Sequence, residues 1–197
     1  MHRPRIATGL CAGLVAIAVL LLSALAVFAQ EQVRIYGLTI PDRIGGFSHG
    51  EPIDFETKSP GLGYSLRFSS RPSWTVDVYI YDFGLKSIPP DVDSDVVREQ
   101  FARAKGDIFE LGRRGSYADV LERGEFTIDR EGKARFACAT FSYLRGERKE
   151  FDVESHLCLT SWNDKFVKIR MTAVKGEVSR AEAMKFVEAW IGILWPS

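Results

Sequence analysis

Ala134-Arg135-Phe136-Ala137-Cys138-Ala139-Thr140-Phe141-Ser142-Tyr143-Leu144 and Phe151-Asp152-Val153-Glu154-Ser155-His156-Leu157-Cys158-Leu159-Thr160-Ser161 decide the fold. Both runs are strand-length, and between them lies Arg145–Glu150, a charged loop with Gly146 to turn on. Pairing across that loop brings Cys138 beside Cys158. It also sets a register: Ala137, Ala139, Phe141 and Tyr143 share a face with Val153, Leu157 and Leu159, and Cys138, Thr140 and Ser142 share the other with Glu154, His156 and Cys158. One face is apolar and the other polar, as a half-buried antiparallel pair requires.

Asn163-Asp164-Lys165 follows and predicts a three-residue hairpin loop, since Asn and Asp tolerate positive φ. That length sets Leu159 beside Ile169 and Leu157 beside Met171. A two-residue loop would put a lysine and an arginine opposite the leucines. Upstream, Glu125–Asp129 pairs into the same run through a turn at Arg130–Lys133, and Tyr117–Arg123 reads as an extended crossing.

The N-terminal part reads as two short pieces and a hairpin. Gln32–Ile40 predicts an edge strand. Asp42–Gly63, rich in glycine and holding Pro52 and Pro60, predicts a long ordered loop or a pair of short extended segments. Tyr64–Ser69 and Ser73–Phe83 predict a hairpin whose second strand sends Trp74, Val76, Val78 and Ile80 to one side and an aromatic row, Tyr79, Tyr81 and Phe83, to the other. That row suits either a stacking platform for a ligand or the floor beneath a helix.

Two helices complete the pattern. From Ser94 to Leu111, Val97, Phe101, Ala104, Ile108 and Leu111 recur in steps of four and three and draw one apolar stripe. Asp91, Asp93 and Asp95 suit the positive end of that helix, and Gly112 and Gly115 stop it. Near the C-terminus, Ser179-Arg180-Ala181-Glu182 is a capping box. It opens a helix whose buried stripe is Ala183, Val187, Trp190, Ile191 and Leu194. Together these elements predict an α+β fold: an antiparallel β-sheet packed by a long central helix and a C-terminal helix.

Arg3 and Arg5 precede an uncharged run, Ile6–Ala29, that ends in Val27-Phe28-Ala29. The small residues at the cleavage positions make residues 1–29 a signal peptide, and the length of the run keeps open an uncleaved N-terminal anchor. Residues 30–197 then form a single exported domain, in the periplasm, secreted, or held at the membrane by residues 6–29. The formal charge of the whole chain is zero, and no basic stripe marks a nucleic-acid binder. Cys11 lies inside the N-terminal run, and the two cysteines left in the exported domain, in an oxidising compartment, predict a Cys138–Cys158 disulfide, which in the chain-entropy model stabilises by roughly 3 kcal/mol. No Cys-x-x-Cys or paired-ligand spacing points to redox or zinc chemistry.

His49, Glu51 and Asp54 form the most chemically suggestive loop cluster, able in composition to hold a cation or transfer protons, although the spacing matches no metal loop. His156 with Glu154 is the second candidate polar site, set against the plainer reading of His156 as an exposed cross-strand neighbour of Thr140. No serine or cysteine lies in a nucleophile elbow, so no catalytic residue is assigned and no cofactor is expected. These readings predict a non-catalytic exported accessory or binding domain, its partner an envelope protein or a small ligand. The alternative is a metal-dependent or acid-base hydrolase using His49 or His156 with nearby carboxylates.

The hairpin Tyr64–Phe83, the helix after it, Phe136–Tyr143, Lys165–Ala173 and the capped terminal helix, in that order, resemble the PsbP-like fold, an antiparallel sheet sandwiched by helices in small extracytoplasmic proteins. The order is similar also to secreted bacterial proteins of unknown function. Photosynthetic members of the family are non-enzymatic accessory subunits, so the resemblance implies an accessory role and assigns no residue of this chain.

Overall fold

The computed structural model describes residues 32–71 and 74–196, so the signal-peptide or anchor reading of residues 1–29 lies outside the described residues. The chain opens with a small separate hairpin, β1 (Val33–Ile35) and β2 (Leu38–Ile40), where the sequence suggested a single strand. Tyr36 and Gly37 both take positive φ, which is what a two-residue turn between twisted strands needs. Three short strands follow, β3 (Arg43–Ile44), β4 (Phe47–His49) and β5 (Ile53–Asp54), then the hairpin β6 (Tyr64–Arg71) and β7 (Trp74–Tyr81). After helix α1 (Asp95–Arg113) come four long strands, β8 (Ala118–Arg130), β9 (Lys133–Arg145), β10 (Phe151–Trp162) and β11 (Lys165–Val174), and helix α2 (Arg180–Leu194).

One antiparallel sheet takes the order β3-β4-β6-β7-β11-β10-β9-β8, with β5 also pairing β6. The β9–β10 register matches the sequence reading: Tyr143 faces Val153, Ala139 faces Leu157, Thr140 faces His156, and Cys138 faces Cys158. The β10–β11 register does not. The turn is the two residues Asn163 and Asp164, both at positive φ, and Trp162 pairs with Lys165. Leu159 therefore faces Lys168 and Leu157 faces Arg170, the arrangement that the expectation of a longer loop was meant to avoid. The cations are accommodated because tyrosines from β7, from β9 and from the segment after α1 close around them.

Both faces of the sheet are covered, one by each helix. Helix α1 starts at Ser94, whose hydroxyl accepts from the Val97 amide, and buries Val97, Phe101, Ala104 and Ile108. These pack with Tyr81, Phe166, Leu157, Leu159, Ala139 and Phe141. Buried Gln100 donates to the Tyr81 hydroxyl at 2.8 Å, which satisfies a phenol held far above its usual pKa by burial. Gly112 lies inside the helix, and the chain turns away at Gly115, φ +75°.

Helix α2 covers the opposite face. The capping box is formed as the sequence predicts: the Ser179 hydroxyl accepts from the Glu182 amide at 3.2 Å, and the Glu182 carboxylate accepts from the Ser179 amide at 3.0 Å. Ala183, Phe186, Val187, Trp190, Ile191 and Leu194 are buried against Phe68, Val76, Val78, Cys138, Cys158, Ile169 and Met171. The face that carries the two cysteines, expected to be polar, is thus a second core.

Candidate functional site

The cysteines form a disulfide across the two central strands, with Cα atoms 4.1 Å apart and both residues fully buried. Two residues along the same face sits His156, 4% exposed, where the sequence reading had an exposed neighbour of Thr140. The partner is right and the environment is not. Alternation assigned His156 to a face correctly, but that face is roofed by the start of α2.

Three groups surround the imidazole. Thr140 Oγ1 lies 3.0 Å from Nδ1, Glu154 Oε1 lies 3.2 Å from Nε2, and the charge of Arg180 on α2 bears on the ring. An ionised Glu154 only accepts, so hydrogen-bond logic assigns the ring proton to Nε2 and leaves Nδ1 to accept from the Thr140 hydroxyl. Hydroxyl, imidazole and carboxylate then stand in the order used to activate a nucleophile. Burial is the largest influence on the ring and holds its pKa below the ordinary 6.5, with Arg180 acting in the same direction and Glu154 against it. The cavity at this point, lined by Trp74, Glu154, His156, Met171, Val178 and Ala183 among others, measures about 10 Å³. That is room for about one water.

His49, Glu51 and Asp54 are elsewhere. His49 is on β4 and His156 on β10, with β6, β7 and β11 between them, about 19 Å apart at normal strand spacing. The His49 ring packs edge-on to Phe68 with centroids 5.2 Å apart, and Nδ1 lies 2.7 Å from the Gly50 carbonyl oxygen. Asp54 accepts from the Thr57 amide at 3.0 Å and hydroxyl at 2.7 Å, which lowers its pKa. Glu51 is exposed. The loop's most engaged acid is Glu56, which accepts from the amides of Gly61 and Gly63 at 3.0 and 2.8 Å and is held below its ordinary pKa by them. Gly63 itself lies against the backbone of Ile80, where a Cβ would fall 1.9 Å from the carbonyl oxygen. Asp54 and Glu56 thus hold the loop to itself. Among the described residues, no group of three or more His, Cys, Asp or Glu side chains is placed to hold a metal ion.

On the α1 face, beyond the part covered by apolar packing, the sheet carries a polar field that the sequence reading missed. The Lys168 ammonium lies 4.4 Å from the centroid of Tyr79 and 5.6 Å from that of Tyr81. Arg170 donates from Nη2 to the hydroxyls of Tyr117 and Tyr143, at 3.3 and 3.2 Å, and from Nε to Ser155 at 3.4 Å. Tyr117 and Tyr143 stack on each other with centroids 4.1 Å apart. Asp77, which faces Arg170 across the strands, is ion-paired instead with Arg67 at 2.7 Å. Beyond Tyr117 opens a cleft of about 370 Å³, lined by Phe109, Gly112, Arg113, Tyr117, Ala118, Asp119 and Val120. The available signal was the alternation Lys168-x-Arg170 on a strand otherwise apolar. The assumed loop length turned both cations to the wrong face.

Comparison with solved structures finds the chain similar to the cyanobacterial PsbP of Synechocystis, at a TM-score of 0.45 and 14% identity over 77% of this chain and 83% of that one. It is also similar to a Pseudomonas aeruginosa protein of unknown function described as a candidate regulator, at a TM-score of 0.31 and 14% identity over 81% of this chain and 89% of that one. No protein-family model matches the chain, and no curated protein matches it by sequence. Neither structural likeness transfers a functional residue.

Proposed function

We propose that residues 30–197 are an exported, non-catalytic accessory domain that acts by binding an envelope protein or a small ligand, in the periplasm or at the cell envelope. Residues 1–29 serve as its signal peptide or anchor. The observation that carries the reading is the Cys138–Cys158 bridge between the two central strands, because such bonds persist where thiols are oxidised and are rare in the cytosol. The non-catalytic part is supported by His156: the residue best placed for acid-base work adjoins a cavity with room for about one water.

Fractionation of the producing cell with N-terminal sequencing tests this reading. Recovery in the envelope or periplasmic fraction, beginning at Gln30 or retaining residues 1–29 as an anchor, is the expected result. Recovery in the cytosol with Cys138 and Cys158 both as free thiols overturns it.

A second reading, an acid-base hydrolase, is favoured by the alignment of Thr140, His156 and Glu154. It requires ester or amide turnover by the purified protein that disappears in Thr140→Val and His156→Gln. No such turnover is expected.

A further inference from the structure

We propose that Lys168 and Arg170, framed by Tyr79, Tyr117 and Tyr143, form a binding site for the oxyanion group of a small phosphorylated or carboxylated ligand. The site rests on the reading of the chain as a binding domain and names the ligand class.

Lys168 and Arg170 both keep donors that no protein group among the described residues accepts from. Arg170 uses Nε and Nη2 on Ser155, Tyr117 and Tyr143, all neutral hydroxyls, and among the described residues it makes no ion pair. Its Nη1 still carries two N–H groups. Lys168 has three ammonium protons and, among the described residues, neither a hydrogen bond nor an ion pair, only the faces of Tyr79 and Tyr81. Lys168 and Arg170 are alternate residues of β11, so both side chains stand on the same face of the sheet, about 7 Å apart along the strand. Both are half-buried.

Two neighbouring cations in a partly dry site repel each other, and an anion between them relieves that repulsion while taking up the spare donors. The Lys168 ammonium is held below its ordinary pKa by burial, with the Arg170 charge acting in the same direction. The carboxylates that bear on it are Asp107 of α1 and Asp77 of β7, and Asp77 is engaged by Arg67. A planar guanidinium beside a compact ammonium suits a carboxylate or phosphate oxygen pair. Tyr117 is shared with the open cleft between the end of α1 and the start of β8, which borders the site through that ring.

The test is titration calorimetry, at low ionic strength, of the protein purified from its envelope fraction with inorganic phosphate and, separately, with succinate. The proposal expects at least one to bind with a dissociation constant of about 1 mM or tighter. Stronger phosphate binding identifies a phosphoryl ligand, and stronger succinate binding a carboxylate. Affinity should fall by about tenfold or more in Arg170→Gln and in Lys168→Gln, the loss expected from one charge-assisted hydrogen bond. It should be unchanged in Lys175→Gln, whose ammonium is exposed and paired with Asp152.

Since Arg170 also ties Tyr117 to Tyr143, Lys168→Gln carries the test if Arg170→Gln unfolds. Failure of both probes to bind, unchanged binding in Lys168→Gln, or an equal loss in Lys175→Gln overturns the site. A disulfide-bonded envelope protein that binds neither probe loses only this site, whereas a cytosolic, reduced protein loses the export reading whatever it binds.

Discussion

His156 shows how much one buried polar side chain can be asked to carry. Its two ring nitrogens are both engaged, by Thr140 and Glu154, in a place where an unpartnered polar group would cost about 1–3 kcal/mol. Removing the ring should leave those partners facing a void, so His156→Ala is expected to lose about 2–4 kcal/mol in urea unfolding of the oxidised protein. The same residue gives the fold a pH dependence. The unfolded chain takes up this proton near pH 6.5, and the folded chain only at a lower pH, because burial disfavours the charged ring. Between those values the unfolded state holds more protons, so stability rises with pH through the window and is lost as pH falls from 6.5 towards the lower folded value. His156→Gln should flatten that part of the stability profile relative to the parent protein. An unchanged slope would show that the ring titrates as freely in the fold as out of it.

At the scale of the element, the β10–β11 turn decides which side chains meet. Asn163 and Asp164 both sit at positive φ, and Asp164 Oδ1 also accepts from the Ile88 amide at 2.9 Å, tying the turn to the segment before α1. Asp164→Ala should therefore cost about 1–3 kcal/mol, from backbone strain and the lost acceptor together, and Asp164→Gly should cost less because the strain is relieved. Chemical unfolding of the two variants separates the contributions. At the other end of the chain, Ser179→Ala removes the hydroxyl that caps α2 and should cost about 1 kcal/mol. The cap was legible in the sequence because its chemistry is local, four consecutive residues acting on one another. The turn was misread because its register was inferred from what Lys168 and Arg170 would face, and the tyrosines that receive them come from β7, β9 and the segment after α1. Nothing near residues 165–170 announces those partners.

For the molecule as a whole, the alternation of β9 and β10 was enough to pair Cys138 with Cys158 and to place every facing residue between them, since a slip of one would reverse both faces. The α+β architecture was legible for the same reason: two apolar helical stripes need two apolar sheet faces. What the alternation withheld was the content of the second face. Cys138, Thr140, Ser142, Glu154, His156 and Cys158 look polar in a row, yet Cys138 and Cys158 sit in a core with Ile169, Met171, Val76, Val78 and α2, and Ser142 and His156 are buried beside it. The sequence cluster of His49, Glu51 and Asp54 proved to be loop and edge structure four strands from His156, and the cation field at Lys168 and Arg170 emerged only once the register was known.

A bridge at the centre of such a sheet also has an energetic consequence. Replacing both cysteines by alanine should lower unfolding free energy by about 3 kcal/mol, and added reductant should then change nothing further. The central claim, an exported domain locked by this disulfide, is tested most directly by the intact mass of the protein taken from the producing cell under thiol alkylation, with and without prior reduction. A chain beginning at Gln30 should take no alkylation before reduction and two labels after it, and a chain retaining residues 1–29 should take one label, on Cys11, before reduction and three after it. Labels on Cys138 and Cys158 without reduction would contradict it.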